Sequence, residues 1–211
     1  NNGANTNVTF ATEGDRSYAE FNGSNARFTL TSEPFTASNA DYTISLWAKH
    51  NNVSSTQRLL GWGDTNGRYI VGYHTGTDNI YIGMGNVSIV PTVSYKPTAG
   101  QWEHWTFSNS GDTTKFYKDG VLVETVVHAA SGAITASAGV RIGSAHMAYG
   151  EYLNGSMDDV RIWNRALSAS EVATLHSTTA QLSDATPVYS KALEATGDGV
   201  SLAGQASFGT T

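Results

Sequence analysis

The sequence predicts an all-β fold, a two-sheet antiparallel sandwich carrying one short C-terminal helix. Composition is the first ground: of 211 residues, 39% are hydrophobic, 14% are charged and 22 are Gly. Val, Ile, Thr, Tyr, Phe and Trp are spread along the whole chain, which favours strands joined by tight turns. The second ground is punctuation. Asn22-Gly23, Asp64 to Gly67, Thr75 to Asp78 and Asp119-Gly120 divide segments of strand length, at the spacing of a sandwich. The third is a helix start in one place: Ser168 and Glu171 form a Ser-x-x-Glu capping box, with Leu167 and Val172 at the staple positions.

Taken in order, Tyr18 to Phe21 is a short strand ended by Asn22-Gly23, and Ala26 to Leu30 is the next. Tyr42 to His50 alternates, with Tyr42, Ile44, Leu46 and Ala48 on one face and Thr43, Ser45, Trp47 and Lys49 on the other. Arg58 to Trp62, Arg68 to Tyr73 and Asn79 to Met84 read as a three-strand meander, and Trp102 to Ser108 follows. Lys115 to Lys118 and Val121 to Glu124 flank Asp119-Gly120, whose residues accept the positive φ angles of a type I′ hairpin turn. Val140 to Gly143 is a further strand, and the loop Ser144 to Asn154 leads to the last, Met157 to Trp163. In that strand Val160 and Ile162 share one face, while Asp159, Arg161 and Trp163 share the other. Beyond His176 the chain turns rich in Ala, Ser, Thr and Gly. We therefore expect one domain over residues 1–177, and in residues 178–211 an extension, a linker or strands that pack back on the sandwich.

A formal charge of −6 without a Lys/Arg cluster argues against nucleic acid or an anionic membrane surface as partner. No run of about 18 apolar residues is present to enter a bilayer. The absence of Cys removes thiol catalysis and Cys-based zinc sites together. The start at Asn1, without Met or a leader, suggests a mature product or a piece of a longer, multidomain protein.

Six segments in a fixed order carry a family likeness: Tyr18-Ala-Glu-Phe-Asn-Gly-Ser, Asp41-Tyr-Thr-Ile-Ser-Leu-Trp-Ala, Gly100-Gln-Trp-Glu-His-Trp-Thr-Phe, Lys115-Phe-Tyr-Lys-Asp-Gly-Val, Val140-Arg-Ile-Gly and Gly155-Ser-Met-Asp-Asp-Val-Arg-Ile-Trp-Asn-Arg-Ala-Leu. Over roughly Tyr18 to Ser177 the chain resembles the laminin-G-like, concanavalin A-like jelly-roll family. That resemblance implies two stacked curved sheets, a structural Ca²⁺ and a role in carbohydrate or cell-surface recognition. It places the ion where the last strand meets the Asn22-Gly23 turn, with Asn22, Asp158 and Asp159 as the side chains on offer. Ca²⁺ takes six to eight oxygens, and Asn22 stands where many members have Asp, which lowers the charge of the set. Asp158 and Asp159 point to opposite faces of a regular strand, so both reach one ion only across a bulge.

Sugar rings present C–H faces that stack on aromatic planes, while Asp, Asn and His bond the hydroxyls. The segment Trp62 to Gly67 and the loop His146 to Tyr152 offer this mixture, and the expected contacts are Trp62, Asp64, Tyr73, His74, His146 and Tyr149. Trp47, Trp105, Tyr117 and Trp163 lie within regular strands and are expected to be buried, and His104 is expected to make a structural hydrogen bond. Retaining glycoside hydrolases of this fold need paired carboxylates at strand spacing, and only Glu13-Gly-Asp15 comes near it. Gly-x-Ser-x-Gly is absent. The sequence thus points to a non-catalytic, lectin-like module, extracellular or on a cell surface, that binds a glycan or polysaccharide through rim loops or the concave sheet. A structural or adhesive spacer is the alternative, and a lyase or hydrolase stands third.

Overall fold

The computed structural model describes residues 3–14, 16–31, 34, 40–63, 68–85, 92–128, 139–145, 150–177 and 189–191. In chain order the strands are β1 (Ala4–Thr6), β2 (Thr9–Glu13), β3 (Arg16–Asn22), β4 (Arg27–Thr29), β5 (Tyr42–His50), β6 (Gln57–Gly63), β7 (Arg68–His74) and β8 (Asn79–Gly85). They continue as β9 (Thr92–Val93), β10 (Trp102–Ser110), β11 (Thr113–Lys118), β12 (Val121–Val127), β13 (Arg141–Ile142) and β14 (Asn154–Trp163). Helix α1 (Ala169–Ser177) and the short β15 (Tyr189–Lys191) close the described chain. A seven-stranded sheet runs β1-β4-β13-β6-β7-β8-β9, and an eight-stranded sheet runs β12-β11-β10-β5-β14-β3-β2, with β15 paired to β14. The pairings between neighbouring strands are antiparallel, as predicted for a sandwich.

The alternation read from the sequence sets the inner faces. Ile44, Leu46, Trp105, Phe107, Phe116, Met157, Val160 and Ile162 from the larger sheet meet Phe28, Leu60, Trp62, Tyr69, Val71, Tyr73, Ile80 and Ile82 from the smaller, all in one buried cluster. A second cluster lies on the other side of the larger sheet, where Leu167, Val172 and Leu175 of the helical segment cover Tyr117 and Trp163. The helix begins as predicted. Ser168 N donates to Glu171 Oε2 at 2.7 Å, Glu171 N donates back to Ser168 Oγ at 3.3 Å, and the staple residues Leu167 and Val172 are both buried. At the hairpin, Asp119 and Gly120 have φ of 50° and 78°, the pair of positive values a type I′ turn requires.

Two features depart from the sequence reading. Trp105, Tyr117 and Trp163 are buried as expected, but Trp47 is half-exposed on the outer face of the larger sheet. Its neighbours in alternation, Thr43, Ser45 and Lys49, had placed it on the polar side, and there it stays. The second is a bulge in β14. The register to β5 shifts between Asp158 and Arg161, and Asp159 has a φ of 48°. Met157 and Val160 both enter the core, so both acids lie on the outer face of the sheet. The strands before Tyr18, β1 and β2, carried no periodic signal strong enough to find.

Candidate functional site

The predicted contacts separate into three groups. Trp62 and Tyr73 belong to the core: neither has exposed surface, Trp62 stacks on Tyr69 at 4.2 Å, and the Tyr73 hydroxyl donates to Asp78. The sequence reading set both beside Gly-rich turns, whereas they lie inside strands whose alternation turns them inward. Asp64, His146 and Tyr149 fall outside the described residues. The described ends of the two predicted loops also lie apart. Gly63, where the first loop leaves β6, is five residues from Arg58, about 17 Å along a strand. The base of the second loop sits at the Arg58 end, where Ala145 N donates to Glu151 O and Ser144 pairs with Tyr152.

His74 is the predicted residue that the structure leaves at a surface, and it has company. The register of the smaller sheet lines up Arg58, Gly72 and Tyr81 across β6, β7 and β8 on the outer face. A Cβ on Gly72 would come within 2.7 Å of the Arg58 Cα, and one on Gly83 within 2.6 Å of the Tyr81 ring. These two glycines are what allow Arg58 and Tyr81 to lie down on the sheet. The Arg58 guanidinium rests 4.3 Å from the Tyr81 centroid and Nε donates to Glu151 Oε2 at 2.6 Å. Arg58 is 4% exposed, and its Nη1 finds no hydrogen-bond acceptor among the described residues. The His74 ring stacks on Tyr81 with centroids 6.3 Å apart, and its Nδ1 meets Thr77 Oγ1 at 3.2 Å. At the adjoining turn, bonds from the Tyr73 hydroxyl and Lys96 hold the Asp78 carboxyl below its ordinary range.

The result is a half-covered cluster of two stacked rings, a buried cation and a carboxylate. It can hold the apolar face of a polyhydroxylated ring and bond its hydroxyls, as both donor and acceptor. Tyr81 was recognisable in sequence as an aromatic beside glycines. Arg58 and Glu151 were missed, because the burial of every residue in the run Gln57 to Gly63 and the approach of Glu151 appear only in the fold.

The three proposed Ca²⁺ ligands do not converge. Asn22 pairs with Asn154 in the β3/β14 register, and Asp158 lies four residues further along β14, about 13 Å away. The Asn22 Oδ1 is spent on its own turn, accepting from Ser24 N, Asn25 N and Ala26 N, each at 3.0 Å. Asp158 lies 3.4 Å from Arg16, and Asp159 is bonded to Arg161 at 2.6 Å. Burial raises the Asp158 carboxyl above its ordinary range. These residues do not form the expected cage.

Known structures share this architecture. Domain 4 of a GH43 extracellular arabinanase from Geobacillus stearothermophilus, in complex with arabinotriose, is 21% identical with a TM-score of 0.64, the match covering 81% of this chain and 82% of that one. The heptameric SAP-like pentraxin of Limulus polyphemus is 18% identical with a TM-score of 0.57, over 79% of this chain and 84% of its own. The binding domain of botulinum neurotoxin serotype G is 17% identical with a TM-score of 0.64, over 83% of this chain and 45% of its own. Among curated proteins, none matches the chain in sequence. Among the described residues, no helix is long and apolar enough to cross a membrane. The family model for the concanavalin A-like lectin/glucanases superfamily matches residues 22–173, and with the two-sheet topology this makes the chain a member of that superfamily.

Proposed function

We propose that the chain is a non-catalytic carbohydrate-binding module of a secreted or cell-surface protein, taking its glycan at the Arg58, Tyr81, His74 and Glu151 cluster. The observation that carries this reading is Arg58, a guanidinium 4% exposed, laid on an aromatic ring with one nitrogen unspent. Burying such a charge is costly unless it is paired or has work to do, and Glu151 occupies only its Nε. A sugar ring would lie against the exposed parts of Tyr81 and His74. Its hydroxyls would bond Glu151, and the Arg58 guanidinium would hold Glu151 in place. The arabinotriose complex of the arabinanase domain, a member of the same fold, supports a glycan as the ligand class.

Arabinotriose and a glycan array are the first probes, read by calorimetry in the presence and absence of EDTA. Saturable binding is expected, and it should persist in EDTA because the three candidate cation ligands are engaged elsewhere. His74→Ala and Arg58→Met should each weaken binding by about tenfold or more, the loss of one charge-assisted bond or ring contact. Native-like melting of the His74 variant separates that loss from misfolding. No binding to any glycan would leave the structural or adhesive spacer as the better account. Release of reducing ends or unsaturated products from a polysaccharide panel would replace the module by an enzyme.

A further inference from the structure

The outer face of the eight-stranded sheet carries a second cluster, on the opposite side of the sandwich from Arg58. The registers place Trp102, Lys49, Ser156, Glu20 and Thr9 in one row across β10, β5, β14, β3 and β2, with His104, Trp47 and Asp158 in the next. Aromatic rings and cations alternate there. The Arg16 guanidinium lies 4.5 Å from the Trp47 centroid and 4.8 Å from that of Trp102, and Lys49 Nζ lies 5.1 Å from Trp102 and 5.3 Å from Tyr18. Each cation also has a carboxylate: Arg16 faces Asp158 at 3.4 Å, Lys49 meets Glu13 at 2.8 Å and Arg161 meets Asp159 at 2.6 Å. Glu13 Oε2 further accepts from Trp102 Nε1 at 3.3 Å. Trp47 and Trp102 are both half-exposed.

We infer that this face is a second binding surface, and that its ligand is an extended, uncharged polysaccharide chain. Three observations select that occupant. With Glu20 beside the three ion pairs the patch has no surplus of cations, so a polyanion gains nothing by approaching. From Trp102 across to β2 the outward side chains include no Val, Leu, Ile or Met, whereas protein interfaces bury aliphatic and aromatic groups together. The exposed large aliphatics among the described residues, Val121, Leu122, Val123 and Val127, are all on β12 at the far edge of the sheet. What remains is indole surface for sugar C–H groups, from Trp47 and Trp102, beside carboxylates and cations for hydroxyls. Each of the three cations is already held by a carboxylate, so little side-chain freedom is lost on binding. Rows running across five strands suit a polymer rather than a single sugar.

Affinity electrophoresis through gels containing arabinan, xylan or mixed-linkage β-glucan, with polygalacturonate as the charged counterpart, tests this independently of the rim cluster. At least one uncharged polymer should retard the protein, and Trp102→Ala should reduce that retardation by about tenfold, as loss of an aromatic anchor does. His74→Ala and Arg58→Met, on the other face, should retain polymer retardation while losing oligosaccharide binding. Should Trp102→Ala melt early, Glu13→Gln decides: that side chain is 60% exposed, and a weaker retardation of about twofold is expected. Retardation by polygalacturonate alone, by none of the uncharged polymers, or undiminished in both the Trp102 and Glu13 variants would overturn the inference. If polymer and oligosaccharide binding vanish together in the rim variants, one site serves both and the second surface is refuted.

Discussion

Trp62 shows how a single residue changes meaning with its backbone. Flanked by Gly61 and Gly63 it reads as a loop-borne ring, but it lies mid-sheet with its indole on Tyr69, whose hydroxyl in turn donates to Tyr42 at 3.2 Å. Truncating so large a buried ring leaves a cavity the sheets cannot close. Trp62→Ala should therefore cost about 3–5 kcal/mol of stability, measured by urea unfolding, with glycan affinity at the rim unchanged wherever the protein remains folded. A loss of binding without a loss of stability would return the residue to the surface role its sequence suggested. Arg58 is the opposite case, a charge in a buried strand that alternation alone would have rejected.

At the level of the element, α1 has nine residues and is too short to hold itself together. Its start is tied by the Ser168 and Glu171 bonds, and Arg165 clamps the same carboxylate at 2.6 Å and 3.1 Å. The Arg165 bonds foremost, then those from Ser168, lower the Glu171 pKa from its ordinary 4.5 to about 2. A carboxyl depressed in the fold stabilises above its unfolded pKa and loses that contribution as pH falls through the folded value. Glu171→Gln should thus cost about 1 kcal/mol at neutral pH, with the difference from the parent closing between roughly pH 4.5 and 2 in paired melting curves. A gap that stays constant over that range would show that the charge is not what caps the helix. Ser-x-x-Glu made this element legible, because capping is local chemistry.

For the whole molecule, two buried imidazoles among the described residues add to the acid sensitivity. His50, stacked on Trp105 at 5.4 Å, is pushed down by burial to about 4. His104, bonded to Ser45 Oγ at 2.7 Å as a structural His was expected to be, is pushed to about 3 by burial first and the neighbouring His176 second. Both are neutral in the fold and ordinary in the unfolded chain, where they begin to take up protons near pH 6.5. Their contribution is intact above that pH and falls steadily toward pH 4. Calorimetry should show the melting temperature dropping over this window, and a flat profile would mean the rings are hydrated. The strands from Tyr42 to Trp163 could be read because period-2 patterns and turn residues are local, as could the inner face of β5. The rim cluster could not, since it depends on Gly72 and Gly83 making room for the Arg58 and Tyr81 side chains and on Glu151 arriving from 93 residues away. Where Asn22, Asp158 and Asp159 lie was illegible for the same reason, because register rather than order decides which side chains meet.

The bulge at Asp158 and Asp159 has a bearing on how β14 tolerates change. Before it the odd-numbered Met157 enters the core, and after it the even-numbered Val160 and Ile162 do. One continuous strand thereby serves two partners in different phase, β3 up to Met157 and β15 from Val160. Deleting Asp159 would restore uniform alternation while leaving Val160 and Ile162 in the core and Trp163 toward the helix, so what the extra residue supplies is a second outward carboxylate, the one that holds Arg161.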